Sequence, residues 1–379
     1  VKILIVTGIW PPDVGGPASH APELADFLST RGHKLEVVTT AEGEPAPRPY
    51  PVFWTRRSLP AGARHLAVAE LVRRRARRAE VVYDLSMLTR CALATTLARR
   101  PLVVKLPTDP AYERARRRGL FAGDMDEFQR FGGGVQVRAL RLARNAALGR
   151  ARAITCPSAY LRELAIGWGV APERIRVVPN PAPPVPELEP REKLRKKLGL
   201  TGPTLAFAGR LTRQKTLAVA LEALAAVDGV DLILAGDGPE RARLEQKAGE
   251  LGLGGRVRLL GSQTREQVLE LFRAADASLL SSAWENFPHT VVESLAVGTP
   301  VISTAVGGVA EAVREGENGL LVPPGEPEAL AAAVRRYLSD GELRGRLQAG
   351  AAPSAERFSQ ERIYSELESV LVGAAGGGR

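Results

Sequence analysis

The strongest constraint on the fold is an alternation that runs twice along the chain. Short apolar, often β-branched runs lie between stretches of helical pattern. In the first half the strand-like runs fall at 2–7, 34–39, 52–55, 81–85, 102–106, 153–157 and 175–178, with helical patterns at 18–30 and 66–78. Runs this short, bounded by turn residues, suit strands buried on both faces. Parallel strands need crossovers, and a helix is the usual one, so the class is α/β with helices on both faces of a parallel sheet. At 181–190 the text becomes Pro181, Ala182, Pro183, Pro184, Val185, Pro186, Glu187, Leu188, Glu189, Pro190. Proline removes amide donors and fixes φ, so neither a helix nor a central strand continues there. The alternation then restarts, with strands at 204–208, 231–235, 257–260, 277–280 and 300–304. Helices are expected at 216–227, 239–251, 265–274, 290–296 and 327–338.

Two doubly wound, Rossmann-like domains follow, facing across a cleft formed at the ends of their parallel strands, where such sheets bind ligands. The expected division is a first domain at 1–180, a proline-rich linker at 181–190 and a second domain at 191–350. A helical segment at 351–372 is expected to pack back towards the first domain, ahead of a flexible Gly/Ala-rich tail at 373–379. With 379 residues, 45% of them hydrophobic, the chain can bury two cores without staples. The two cysteines, Cys91 and Cys156, cannot build a disulfide framework or a thiolate zinc site, so a reducing cytoplasm is the default. No metal-ligand spacing links the four histidines. No run approaches the roughly 20 apolar residues that span a bilayer.

Two familiar phosphate motifs are approached and missed. Gly209, Arg210, Leu211, Thr212, Arg213, Gln214, Lys215 and Thr216 nearly spell a nucleotide-triphosphate loop, but Gln214 stands where its second glycine belongs. Gly236, Asp237, Gly238, Pro239, Glu240 and Arg241 follow a strand as a dinucleotide fingerprint would, yet Arg241 replaces the third glycine. Both loops still leave strand ends, where phosphates and bases dock.

The sharpest segment is Glu285, Asn286, Phe287, Pro288, His289, Thr290, Val291, Val292, Glu293. A strand precedes it and a helix starts within it, so amides at a helix N-terminus offer an anion site. Two carboxylates flank that site. They suit hydrogen bonds from the hydroxyls of a sugar or ribose; acid/base chemistry and simple capping are the other readings. Gly209 and Arg210 with Lys215 join a close-approach glycine to a guanidinium fork and a point charge, which suits a diphosphate. Gly15 and Gly16, between the first strand and first helix, add flexible backbone beside helix-start amides.

In this order, and with Val178-Pro179-Asn180 and Gly307-Gly308-Val309-Ala310-Glu311, the motifs resemble glycosyltransferase family 4, over nearly the whole chain. The resemblance implies the GT-B fold and a retaining hexosyltransferase using a nucleotide-sugar co-substrate (UDP-, GDP- or ADP-linked), with no other cofactor and no bound metal. It implies that Glu293 takes the ribose hydroxyls. Glu285 would contact the transferred hexose, with backbone amides from Phe287 to His289 nearby. Arg210 and Lys215 would neutralise the diphosphate leaving group, the role a divalent cation plays elsewhere. Amides near Thr290 and Val291 would add to this, Gly209, Gly236 and Gly238 would line the donor loops, and Gly16 would approach the diphosphate. Relatives often carry a histidine after a middle strand of the first domain. Here that stretch holds Lys105, Thr108 and Asp109, of which Asp109 is the preferred sugar or acceptor contact. Thr216 stands where a glycine is common.

Charge separates the halves. Residues 1–180 hold 29 Lys and Arg against 16 Asp and Glu, or +13; residues 181–379 hold 23 against 26, or −3. The basic half suits an anionic membrane surface or a phosphate-bearing saccharide or lipid-linked acceptor, with Arg-rich composition as the rival explanation. Its densest runs are 73–78 and 114–118. Few aromatics interleave with these arginines, which argues against nucleic acid. A short acidic patch at 124–128 reads as a lid, and His20 as an acceptor-side contact. The expected activity is hexose transfer to a cell-envelope or polysaccharide acceptor, by a cytoplasmic or peripherally bound enzyme. A catalytically silent sugar-nucleotide binder and a GT-B epimerase are the alternatives.

Overall fold

The structure, a computed structural model, describes residues 1–13 and 16–377. The chain forms two compact units, Val1–Val178 with Ile363–Arg379, and Pro179–Arg362. The crossing thus falls at 178/179, and 181–190 belongs with the second unit rather than standing between domains. Ala182 is buried in that unit's core, its amide donating to the Phe358 carbonyl (2.6 Å).

The first unit holds strands β1 (Lys2–Val6), β2 (Lys34–Ala41), β3 (Val52–Arg56), β4 (Val81–Asp84), β5 (Leu102–Lys105), β6 (Ala153–Cys156) and β7 (Ile175–Val177). They make one parallel sheet in the order β3-β2-β1-β4-β5-β6-β7. Between them run α1 (Gly16–Thr30), α2 (Ala61–Ala76), α3 (Leu88–Ala98), α4 (Pro110–Arg117), α5 (Met125–Arg130), α6 (Val135–Arg150) and α7 (Ala159–Gly167). Successive strand residues face opposite ways, so Leu4 and Val6 of β1 enter a core shared with α2, α3, α6 and α7, while Ile3 and Ile5 enter another, lined by α1. Each of these fully buried aliphatic side chains contributes about 1.5–3 kcal/mol, which is why both faces must be covered.

The second unit opens with α8 (Arg191–Leu198) and continues β8 (Thr204–Ala208), α9 (Leu217–Ala225), β9 (Asp231–Ala235), α10 (Arg241–Glu250) and β10 (Val257–Gly261). It goes on through α11 (Arg265–Ala274), β11 (Ala277–Leu280), α12 (His289–Ala296), β12 (Val301–Thr304), α13 (Val309–Ala312), β13 (Gly319–Val322), α14 (Pro327–Ser339) and α15 (Gly341–Ala355). Its parallel sheet runs β10-β9-β8-β11-β12-β13. Leu205 and Phe207 of β8 pack towards α9, α12 and α14, whereas Ala206 and Ala208 pack under α8 and α11.

The last helix, α16 (Gln360–Gly376), corrects two expectations. Residues 351–362 stay with the second unit, and only Ile363 onward joins the first, where Ile363, Tyr364, Leu367, Leu371 and Ala374 complete the core under α1. The helix also continues through Gly376, so most of the expected loose tail is ordered by that burial.

Candidate active site

The second sheet sets β8 between β9 and β11, so the loops leaving the carboxyl ends of these three strands are neighbours. The order reverses direction between β8 and β11, the switch point where open α/β sheets take ligands. The β8 and β9 loops are held together chiefly by backbone, with an ion pair between Arg213 and Glu240 (3.5 Å) beside it. Gly209 N–H donates to the Ala235 carbonyl (2.9 Å), Leu211 N–H to Asp237 (2.9 Å) and Glu240 N–H to Leu211 (3.1 Å). The approach is so close that a Cβ on Gly236 would lie 1.9 Å from the Gly209 carbonyl oxygen, and one on Gly238 2.3 Å from that of Leu211. Gly209, Gly236 and Gly238 also hold φ of 149°, 148° and 159°, in the region that favours glycine. Tight joining of two loops is therefore enough to require Gly236 and Gly238.

The β8 and β11 loops are joined by side chains. Gln214, the residue that spoils the phosphate-loop motif, donates from Nε2 to the Trp284 carbonyl (2.7 Å), and its own carbonyl receives the Ala283 N–H (2.9 Å). Ser281 Oγ donates to the Lys215 carbonyl (2.9 Å), and Thr216 Oγ1 donates to the Ser281 carbonyl. Thr216 sits at φ 39°, left-handed for a β-branched residue, a conformation that costs roughly 1–2 kcal/mol. Its hydroxyl bond, which glycine could not make, offsets part of that cost.

These joints fix Lys215 against Glu285. Nζ lies 2.5 Å from Glu285 Oε1, and Ser282 Oγ donates to the same oxygen at 2.6 Å. Glu285 is buried, with a side chain 8% exposed. Both partners occupy Oε1, and Oε2 accepts no hydrogen bond among the described residues. The carboxylate is thus anchored and oriented with one oxygen in reserve. Arg210, on the neighbouring loop, is exposed and forms no hydrogen bond or ion pair among the described residues.

The helix after this loop begins at His289, with Pro288 at its N-cap and no side-chain cap. Thr290 is half-buried and Val291 buried. Pro288 has no N–H, so of the expected run of amides only Phe287 and His289 can donate. The Phe287 ring is committed to packing, edge-on to Phe358 with centroids 5.4 Å apart, and its carbonyl accepts from Asn180 Nδ2 (3.0 Å). Glu293 lies in the second turn of α12, its Oε1 3.6 Å from Arg265 Nε. Sequence reading missed Arg265, Ser282 and Gln214. Ser282, three residues before Glu285, carried a local signal; Arg265 comes from another helix and carried none.

In the first unit Asp109 is a correction. It is fully buried, N-caps α4 through the Ala111 amide (2.8 Å), and pairs with Arg144 Nη1 at 2.6 Å, with Gln129 Nε2 at 3.4 Å. Both oxygens are spent inside the fold, so it is no contact for sugar or acceptor. Gly16 opens α1, while Gly15 lies outside the described residues. His20 is buried against Tyr364 of α16, rings 5.5 Å apart. The acidic patch is the start of α5: Asp124 and Glu127 form a capping box, and Met125 and Phe128 are fully buried, so it is not a lid. Lys105, at the end of β5, has its pKa lowered to about 8 by burial. Asp84, at the end of β4, is raised to about 6, chiefly by burial. Among the described residues no group of three His, Cys, Asp or Glu is placed to hold a metal ion.

Comparison with known proteins matches family models to most of the chain. Residues 14–184 match the Glycosyltransferase Family 4 model and residues 190–352 the Glycosyl transferases group 1 model. The lipopolysaccharide core biosynthesis glycosyltransferase LpsE of Rhizobium meliloti is 38% identical over 45% of this chain and 49% of its own. A D-inositol 3-phosphate glycosyltransferase of Corynebacterium urealyticum is 36% identical over 46% and 45%. The chain thus spans about half the length of these curated relatives. Anabaena Alr3699/HepE, in a crystal structure with UDP-glucose, superposes with a TM-score of 0.79 at 25% identity, over 98% of this chain and 99% of that one. With two parallel-sheet Rossmann-like units and both family models matched, the chain belongs to the family-4-like glycosyltransferases of GT-B fold.

Proposed function

We propose that this chain is a retaining glycosyltransferase that moves a hexose from a nucleoside-diphosphate sugar to a saccharide or lipid-linked acceptor of the cell envelope. The observation that carries the reading is Glu285: a carboxylate fixed by Lys215 and Ser282 through one oxygen, with the other in reserve for a hydroxyl. A hexose is a dense array of hydroxyls, and a charged acceptor oxygen binds each more strongly than a neutral one would. Arg210, Lys215 and the first-turn amides of α12 hold the diphosphate, and Glu293 takes the ribose hydroxyls. Gly209 lets the backbone approach.

As the bond between the anomeric carbon and the phosphate oxygen breaks, negative charge grows on the diphosphate, where the two cations and the helix start stabilise it. The acceptor oxygen bonds to the anomeric carbon on the face the diphosphate leaves, and its proton passes to the departing phosphate oxygen. Arg210 and Lys215 do the work of a cation, so turnover is expected to be insensitive to chelators. UDP-glucose beside Alr3699/HepE supports a nucleotide-sugar donor. Relatives named for lipopolysaccharide core and D-inositol 3-phosphate glycosylation support a saccharide or polyol acceptor. Both cysteines are buried and neither is in a disulfide, which suits a reducing cytoplasm, and the +13 half suits peripheral placement at an anionic membrane.

The test is a thermal-shift screen of UDP-, GDP- and ADP-hexoses, then release of nucleoside diphosphate with and without chelator. Stabilisation by one donor and chelator-resistant release are expected. Donor binding without release would identify a silent binder; isomerisation without an acceptor would identify an epimerase.

A further inference from the structure

Helices α2, α3 and α6 lie on one face of the first sheet, with α3 packed against both of the others. Their inner faces bury Val68, Val72, Cys91, Ala94 and Leu148 as expected. Their outer faces are unusual. A solvent-facing helix layer is normally polar, but here Leu66 of α2 is 74% exposed, Leu93 and Leu97 of α3 57% and 59%, and Val135 and Leu142 of α6 82% and 70%. Most of the large exposed apolar side chains among the described residues are thus gathered on three adjoining helices. The same helices carry nine arginines, of which Arg144 is buried and the other eight are at least partly exposed, and one carboxylate, Glu70; α3 and α6 carry no acidic residue. No helix among the described residues is long and apolar enough to cross a membrane.

We infer that this three-helix face docks on an anionic lipid bilayer, the leucines entering the acyl boundary and the exposed arginines meeting lipid phosphates. Apolar side chains and arginines on one surface serve an interface where hydrocarbon lies just beneath anionic headgroups. A second copy is disfavoured as occupant, because it would bring the same positive face against this one. The inference deepens the peripheral placement proposed above. It assigns that placement to exposed leucines of α2, α3 and α6 rather than to the Arg-rich run at 73–78 alone.

The test is co-sedimentation of the full chain with phosphatidylglycerol/phosphatidylcholine vesicles and with phosphatidylcholine alone. Binding to the anionic vesicles that weakens as salt rises is expected. The Leu93→Ser/Leu97→Ser/Leu142→Ser variant should lose at least about tenfold in vesicle affinity, and Arg138→Glu should weaken binding on anionic vesicles only. Unchanged melting and vesicle-free donor hydrolysis would show that the triple variant is folded. The inference is overturned if wild type ignores anionic vesicles, if the triple variant binds as well as wild type, or if the face instead holds a dimer in vesicle-free solution that the triple variant dissociates. Donor hydrolysis without vesicles keeps a failure here separate from a failure of the catalytic reading.

Discussion

Two cation–carboxylate pairs in this molecule are nearly identical in length and opposite in meaning. Lys215 and Glu285 meet at 2.5 Å in the second unit; Arg144 and Asp109 meet at 2.6 Å in the first. Distance does not separate a candidate site from scaffold here. Spare hydrogen-bonding capacity does. Asp109 is 0% and Arg144 4% exposed at the side chain, and both Asp109 oxygens are taken by the α4 cap, the guanidinium and Gln129. Glu285 gives one oxygen to two donors and keeps the other. A sealed pair answers to the fold, whereas an anchored but unfinished one is ready for a ligand.

That contrast can be broken first at the sealed pair. Arg144→Met should cost about 3–5 kcal/mol in denaturant unfolding, because it strands a buried charge. A variant that kept its stability and lost only turnover would reverse the assignment. At the open site the expected loss is catalytic. Arg210→Ala and Lys215→Ala should each lower nucleoside diphosphate release by about 10²–10³-fold. The Arg210 variant should melt close to wild type, since its side chain is exposed and unpartnered among the described residues.

Within the first unit, Asp84 is a third buried carboxylate, with its two oxygens unequally partnered. Asp84 receives the Met87 amide (2.6 Å) and the Cys91 thiol (3.4 Å) on Oδ1, while Oδ2 is buried with no partner among the described residues. Its pKa rises to about 6 from 3.8. The folded state therefore binds more protons between those values, and stability falls as pH rises through that window. Asp84→Asn, which keeps Oδ1 and removes the charge, should gain on the order of 2 kcal/mol above pH 6 and little below pH 4. A flat difference across pH, followed by denaturant melts, would refute the charge argument. The smallest effect is expected at Glu293→Ala: about a tenfold rise in donor KM, near 1.4 kcal/mol, with kcat less changed.

Much of this was legible from sequence because it is local. Strands β1 to β12 come from short apolar runs buried on two faces, and the candidate site loops were visible because each follows a strand directly. β13 escaped because its four residues follow Asn318 and begin with Gly319, a turn-like context. Helices α3 and α6 are Ala-rich with a weak apolar stripe, and α4 and α5, of eight and six residues, are too short to display a period. Asp109 was misread for a different reason. Its neighbours place it after a middle strand, where a ligand contact belongs, but its fate is set by Arg144, 35 positions away. Gln214 was read as a defect in a phosphate loop, whereas its side chain fastens that loop to Trp284. Long-range partners decide such cases, and one sequence does not display them.

The measurement closest to the centre is nucleoside diphosphate release from the preferred donor by wild type and by Glu285→Gln, with melting followed in parallel. Gln keeps the side chain's shape and removes its charge. If Glu285 is the anchored carboxylate that receives the sugar, release falls by at least about 100-fold while the melting temperature shifts by only a few degrees. Equal release by the two proteins would contradict the account.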